Sequence, residues 1–147
     1  RFPHLCSLGN RGDYDYFRSL QTLSSQTNVY VVPATYGSDI QQTIVSKAKM
    51  VIGARYHTIV FAINNEIPFL ALSYEHKIQG LLEDLGMSEH GVDITEAFMD
   101  ETQKSQTLRI CNEKLNVLRS VRPDRSLAHQ LATKCFNCFI QYVNNMS

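Results

Sequence analysis

The sequence lacks several features that mark well-known classes of protein. It has no tryptophan, only four prolines and four cysteines among 147 residues, and its formal net charge is zero. So few scattered cysteines argue against a secreted disulfide framework. A neutral balance implies no general attraction to nucleic acid or to an anionic membrane surface. There is no apolar run of about 18 residues and no signal-peptide pattern, so we expect a cytoplasmic protein without a membrane-spanning segment.

The motifs of several cofactor and metal sites are also missing. The sequence has no P-loop, no Gly-x-Gly-x-x-Gly and no metal-ligand spacing. Cys135 and Cys138 have the spacing of a redox motif, but they fall within a helical pattern and have no second pair for zinc. We interpret them as buried helix cysteines and expect neither a cofactor nor a metal.

Short apolar runs alternate with helical patterns over the first 94 residues. The predicted strands are Leu5–Leu8, Asn28–Val32, Met50–Ile52, Phe69–Leu72 and Gly91–Ile94, and the clearest predicted helices are 56–64 and 77–85. Asp39 is a predicted helix cap. This alternation predicts an α/β fold with a parallel sheet flanked by helices.

The alternation stops after residue 94, where the sequence predicts two helices, 95–120 and 125–144, with Asp93 or Thr95 opening the first. Their apolar stripes are expected to pack in the core: Leu108, Cys111, Leu115 and Leu118 on the first, and Leu127, Leu131, Cys135, Cys138, Phe139 and Tyr142 on the second. We therefore predict one α/β domain over 1–147, with a sheet core over 1–94 and helices over 95–147.

Polar clusters follow two of the predicted strands, and they define the candidate site. Arg55 and His57 follow the Met50 strand, at the start of a helix, where an anion is favoured by free N–H groups and the helix dipole. Arg55 adds a planar cationic fork, and His57 is suited to general acid or base chemistry. The alternative is that His57 caps a carbonyl and Arg55 forms a surface ion pair.

The second cluster follows the Phe69 strand and contains Ser73, Glu75 and Lys77. Glu75 is suited to accepting sugar hydroxyls and Lys77 to binding a phosphate; alternatively, Glu75 is a helix N-terminal carboxylate and Lys77 a solvated side chain. Arg11, in the turn after the first strand, is expected at the same edge. Since ligands bind at the carboxyl ends of parallel strands, these clusters predict an anion-binding site.

The same residues resemble a known family, the polysaccharide pyruvyl transferases. The resemblance spans nearly forty residues and rests on Ala48–Arg55, Tyr56-His57, Phe61-Ala62, Ile67-Pro68, Leu72–Glu75, Lys77 and Leu81–Gly86. It implies a Rossmann-like, GT-B-type fold in which this chain is the carboxyl-terminal half and an amino-terminal domain is missing.

The resemblance also implies a reaction, the transfer of a pyruvyl unit from phosphoenolpyruvate to a sugar or polysaccharide precursor of a cell-surface glycan. His57 would be the general acid, Arg55 and Lys77 would neutralise the donor's carboxylate and phosphate, and Glu75 would orient an acceptor hydroxyl. Two alternatives stay open from the sequence: a GT-B glycosyltransferase that uses a nucleotide sugar, and a non-catalytic sugar-binding or assembly module.

Overall fold

The computed structural model describes residues 17–19, 30–32 and 35–144. The chain divides into two units, Arg1–Ile44 and Val45–Ser147. In the first unit, residues 17–19 are helical, whereas residues 30–32 belong to no strand, in contrast to the predicted strand Asn28–Val32. The predicted strand Leu5–Leu8 lies outside the described residues. Helix α1 (Ser38–Ser46) begins one residue before Asp39, so Asp39 lies in its first turn and is not its cap.

The second unit contains a three-stranded parallel sheet, as the alternation of strands and helices predicts. Strands β1 (Val51–Gly53), β2 (Phe69–Ser73) and β3 (Gly91–Asp93) lie in the order β1-β2-β3. Helix α2 (Tyr56–Asn64) connects β1 to β2, and helix α3 (His76–Asp84) follows β2. In the register, Gly53 pairs with Ala71 and Ser73 pairs with Asp93.

The core is built around β2, which is covered on both faces. Phe69, Leu70 and Ala71 are fully buried, as expected for the central strand of such a sheet. A Cβ at Gly53 would lie 2.9 Å from Ile59 Cδ1, and one at Gly91 would lie 2.9 Å from Leu82 Cδ1. The absence of side chains at these two positions therefore lets α2 and α3 pack closely against the strands.

Helices α2 and α3 are each followed, two positions after their last residue, by a residue with left-handed backbone geometry. At the end of α3 this residue is Gly86 (φ 64°), the glycine that such a helix end favours. At the end of α2 it is Glu66 (φ 53°), whose carboxylate lies 3.5 Å from Arg125 Nε. Arg125 Nη1 also donates a hydrogen bond to the carbonyl of Asn64 at 3.1 Å, which places a cation at the negative end of α2.

Helix α4 (Glu101–Leu118) begins six residues later than predicted, after a short 3₁₀ turn at Glu96–Phe98. Its cap is Asp100, which accepts a hydrogen bond from the Gln103 N–H at 2.8 Å, so the prediction that Asp93 or Thr95 opens this helix is wrong. The predicted core stripe of α4 is partly confirmed. Leu118 packs with Leu70 and Val92, joined by Cys111 and Leu115, whereas Leu108 is exposed.

Helix α5 (Ser126–Asn144) matches its predicted bounds within one residue, but its apolar stripe is not part of the core. Phe139 and Tyr142 are more than 60% exposed, Leu127 and Leu131 are more than a third exposed, and Cys135 and Cys138 are also exposed. The expected burial of this stripe is therefore wrong for the structure described. Among the helices of the described residues, none has the length and apolar character needed to cross a bilayer.

Candidate functional site

The carboxyl ends of the three strands meet along one side of the sheet, which we call the carboxyl edge. It comprises the residues that directly follow β1, β2 and β3, namely Ala54–Arg55, Tyr74–Glu75 and Ile94–Thr95. The prediction that both polar clusters follow neighbouring parallel strands is confirmed, because β1 and β2 are adjacent and parallel. Ligands of open α/β sheets bind at such an edge.

One side-chain hydrogen bond connects the two clusters. Arg55 Nη1 donates to the hydroxyl oxygen of Tyr74 at 2.9 Å, although the two residues are 19 positions apart. Both side chains are exposed, so this contact lies at the surface of the carboxyl edge. It joins Arg55 of the first cluster to Tyr74, which lies between Ser73 and Glu75 of the second.

Helices α2 and α3 both begin at the carboxyl edge. Their cap residues, Arg55 (φ −114°, ψ 135°) and Glu75 (φ −135°, ψ 144°), have extended backbones, and neither side chain makes a capping hydrogen bond. An uncapped first turn presents backbone N–H groups together with the positive end of the helix dipole. Two helix ends of this kind, beside Arg55, make this part of the edge favourable for an anion.

His57 is the second residue of α2 and its side chain is exposed. Its ring contacts the ring of Tyr56 edge to face, with centroids 5.9 Å apart and planes at 87°. An exposed imidazole in the first turn of a helix is accessible to a ligand that binds at the helix N-terminus. This position is compatible with the predicted acid-base role.

The remaining predicted residues lie at the same edge but are not all joined. Ser73 is buried and its hydroxyl donates to the backbone carbonyl of Glu75 at 3.0 Å, which shapes the turn after β2. The side chains of Glu75 and Lys77 are exposed. Within the described part of the chain, no hydrogen bond joins the side chains of His57, Glu75 and Lys77 to one another. Arg11 lies outside the described residues.

The end of β3 contributes groups that the sequence did not assign to the site. Asp93 accepts hydrogen bonds from the hydroxyl and the backbone N–H of Thr95. These bonds, with a smaller contribution from the nearby charge of His76, hold the pKa of Asp93 below its ordinary value. Since His76 is the first residue of α3, this interaction links the third strand end to the second cluster. The interaction between Asp93 and His76 was missed from the sequence because it depends on how β3 pairs with β2.

A shallow cavity of about 160 Å³ lies between α3 and β3. Its polar lining includes Ser73 and Asp93 from the strand ends, and Gln79 and Glu83 from α3. Gln79 Nε2 donates to Glu83 Oε1 at 3.1 Å. Hydroxyl, amide and carboxylate groups of this kind match the hydroxyls of a neutral sugar, in contrast to the cationic surroundings of Arg55.

His90 is the buried histidine of the described residues, but it belongs to the core and not to the site. Its ring stacks on Phe69 with centroids 4.5 Å apart, and its Nδ1 lies 3.1 Å from the Phe69 carbonyl oxygen. Phe69 is the first residue of β2, at the opposite side of the sheet from the carboxyl edge. We therefore assign His90 a packing role.

Comparison with known proteins assigns the chain to a family. A family model described as polysaccharide pyruvyl transferase matches residues 1–76, slightly more than half of the chain. The chain belongs to the polysaccharide pyruvyl transferase family. The matched region contains every predicted site residue except Lys77.

A distant relative of the chain is the amylovoran biosynthesis protein AmsJ of Erwinia amylovora. It is 27% identical to the chain over 86 residues, which is 56% of this chain and 20% of that protein. The alignment thus spans about a fifth of the length of that relative. No solved structure matches the chain significantly.

Proposed function

We propose that the protein transfers a pyruvyl unit from phosphoenolpyruvate to two hydroxyls of a sugar in polysaccharide biosynthesis. Membership of the family supports a transferase acting in the synthesis of a glycan. The observation that carries the proposal is that the uncapped N-termini of α2 and α3 open at one edge of the sheet, beside the Arg55–Tyr74 hydrogen bond. Phosphoenolpyruvate carries a carboxylate and a phosphate, and both are anions of the kind that such helix ends favour.

The reaction needs a proton donor, anion stabilisation and a leaving phosphate. In our scheme, His57 gives its proton to the methylene carbon of the donor while the first sugar hydroxyl attacks the adjacent carbon and loses its proton. The carbon–oxygen bond to phosphate then breaks and the second hydroxyl adds at the same carbon, which yields a cyclic ketal. Of the two hydroxyl protons, one returns to His57 and the other leaves with inorganic phosphate. A histidine is suited to the first step because its ordinary pKa lies near neutral pH.

Charge stabilisation would come from the cations of the edge. Arg55 would bind the donor's carboxylate or phosphate through its planar fork, and Lys77 would act as a point charge on the other group. The negative charge on phosphate grows as the carbon–oxygen bond breaks, so these contacts strengthen in the transition state. The scheme uses no metal and no redox cofactor.

The acceptor sugar would lie on the side of α3. Glu75 would orient one of its hydroxyls, and the cavity lined by Ser73, Gln79 and Asp93 offers further hydrogen-bonding groups. In this proposal the sheet is one half of a Rossmann-like, GT-B-type cleft, and an amino-terminal domain supplies the facing half. The reaction takes place in the cytoplasm, where phosphoenolpyruvate is formed.

Calorimetric titration of the natural full-length protein tests the proposal. We expect saturable binding of phosphoenolpyruvate that is lost in Arg55→Ala. The matched control is Arg109→Ala, which removes an exposed arginine of α4 that lies 3.9 Å from Glu113; this variant should bind normally. Binding of a nucleotide sugar in place of phosphoenolpyruvate would contradict the proposal and indicate a glycosyltransferase.

A further inference from the structure

The hydroxyl of Tyr74 is positioned by the fold against the guanidinium of Arg55. The contact joins the loop after β1 to the loop after β2 through a bond of 2.9 Å between Arg55 Nη1 and Tyr74 Oη. From this geometry we propose that Tyr74 is a positioning residue, which orients Arg55 for binding the anionic donor. The inference rests on the proposed function, since it assigns Arg55 to the donor.

The chemistry of the pair gives Tyr74 a defined role. A phenol has one O–H donor and two lone pairs, and here one lone pair accepts from Arg55. The hydroxyl hydrogen is therefore directed away from the guanidinium. The phenol hydrogen can therefore be donated to a bound carboxylate or phosphate that also contacts Arg55.

The contact also restricts a long and flexible side chain. An arginine loses considerable rotamer entropy when it binds a ligand, and this loss weakens the affinity. A hydrogen bond that already holds the guanidinium in the free protein reduces the loss on binding. Tyr74 should therefore affect affinity for the anion more than the rate of the chemical step.

The pair is poorly placed to serve the stability of the fold. Arg55 and Tyr74 are both exposed, with Tyr74 at 39%, and hydrogen bonds between exposed polar groups replace bonds to water at little net gain. The core of the unit is formed by other residues around β2. Loss of the Tyr74 hydroxyl should consequently leave the free energy of unfolding unchanged while it alters ligand binding.

The experiment is a double-mutant cycle in the natural full-length protein, with Tyr74→Phe, Arg55→Ala and the double variant. We expect Tyr74→Phe to raise the Kd and the KM for phosphoenolpyruvate by about fivefold to tenfold. The kcat should stay within about twofold of the parent value. In the Arg55→Ala background, the same change should alter the Kd by less than about twofold, because the group through which Tyr74 acts is gone.

Tyr142→Phe is the matched control, because it removes the same hydroxyl from the exposed face of α5. It should leave both the Kd and the KM unchanged. Urea unfolding of Tyr74→Phe checks that the fold is intact.

Each other outcome has a defined meaning. An unchanged Kd in Tyr74→Phe, or an equal loss of affinity with and without Arg55, would overturn the inference and leave the proposed function standing. If the protein binds inorganic phosphate or a nucleotide diphosphate but not phosphoenolpyruvate, the same cycle is measured with that anion. Coupling between Arg55 and Tyr74 would then support the inference while the proposed donor is wrong. Failure to bind any of these anions would overturn both.

Discussion

Lys114 Nζ donates a hydrogen bond to the backbone carbonyl of Gly91 at 3.0 Å, and thereby fixes α4 to the start of β3. The same ammonium group also donates to the carbonyl of Glu89 at 2.6 Å. The carbonyl of Glu89, within the 3₁₀ turn Ser88–His90, and that of Gly91, directly after this turn, thus share one cation from α4. This contact supplements the pairing of β3 with β2, and the carboxyl end of β3 is one of the three strand ends at the carboxyl edge.

We expect Lys114→Met to lower the free energy of unfolding by about 1 to 2 kcal/mol, because two hydrogen bonds from a charged donor are lost, one of them to the partly buried carbonyl of Gly91. Lys104→Met is the control on the same helix. Lys104 is 54% exposed and forms an exposed ion pair with Glu101, so its loss should cost less than about 0.5 kcal/mol. Urea denaturation measures both, and equal effects would contradict the assigned role of Lys114.

Replacing Gly80, within α3, and Gly86, just after α3, by alanine should change the free energy of unfolding in opposite directions. Gly86 has φ 64° and no atom within 4 Å of a Cβ built there, so Gly86→Ala should destabilise by about 1 kcal/mol through backbone strain alone. Gly80 lies inside α3, also with open space around a Cβ. Gly80→Ala should therefore stabilise by about 0.5 to 1 kcal/mol through helix propensity. Thermal unfolding compares them, and two changes of the same sign would show that backbone conformation does not decide the outcome.

The exposed stripe of α5 should tolerate polar substitution. Phe139 is 61% exposed, so Phe139→Ser should change the free energy of unfolding by less than about 0.5 kcal/mol. Leu118, on α4, is only 4% exposed and packs with Leu70 and Val92, so Leu118→Ala should cost about 2 to 4 kcal/mol. A large loss of stability in Phe139→Ser would show that this face is covered in solution.

Asp93 should make stability depend on pH in the acid range. Hydrogen bonds from Thr95 hold its pKa below the ordinary value of 3.8. Such a carboxyl group favours the folded state at pH values above 3.8 and loses this contribution as the pH falls through the folded pKa. Between about pH 5 and about pH 2, the parent protein should therefore lose more stability than Asp93→Asn. Parallel stability curves for the two proteins would contradict this.

His57→Ala should separate binding from chemistry if His57 is the proton donor. We expect transfer to fall by at least about 100-fold, while the donor affinity stays within about tenfold of the parent value. His129→Ala, which removes an exposed histidine of α5, is the control and should be fully active. Near-normal turnover of His57→Ala would remove this residue from the mechanism.

Local signals in the sequence were sufficient for the elements around the site. The bounds of α2 were predicted as the structure has them, because a continuous apolar segment is closed by polar residues and then by Pro68. The start of α4 was predicted wrongly, since Asp93, Thr95 and Asp100 are all of residue types that favour helix caps. Asp93 and Thr95 form hydrogen bonds with each other, and Asp100 is the residue that caps α4.

Contacts between distant segments were beyond the reach of sequence patterns. The clusters at the carboxyl edge were predicted from the order of strands, but the Arg55–Tyr74 bond depends on side-chain geometry in the loops after two paired strands. An apolar stripe likewise shows that a helix has one apolar face, and not what covers that face. For this reason the stripe of α4 was placed largely correctly and that of α5 was not.

The unequal lengths of β1 and β2 give the carboxyl edge a step. Gly53, the last residue of β1, is level with Ala71, and β2 continues for two more residues to Ser73. At the usual rise of a strand, the end of β1 therefore lies about 6.6 Å short of the end of β2 along the strand direction. Under the proposed function, we therefore expect a donor with two anionic groups offset along the strand direction to match this edge better than a donor with one such group.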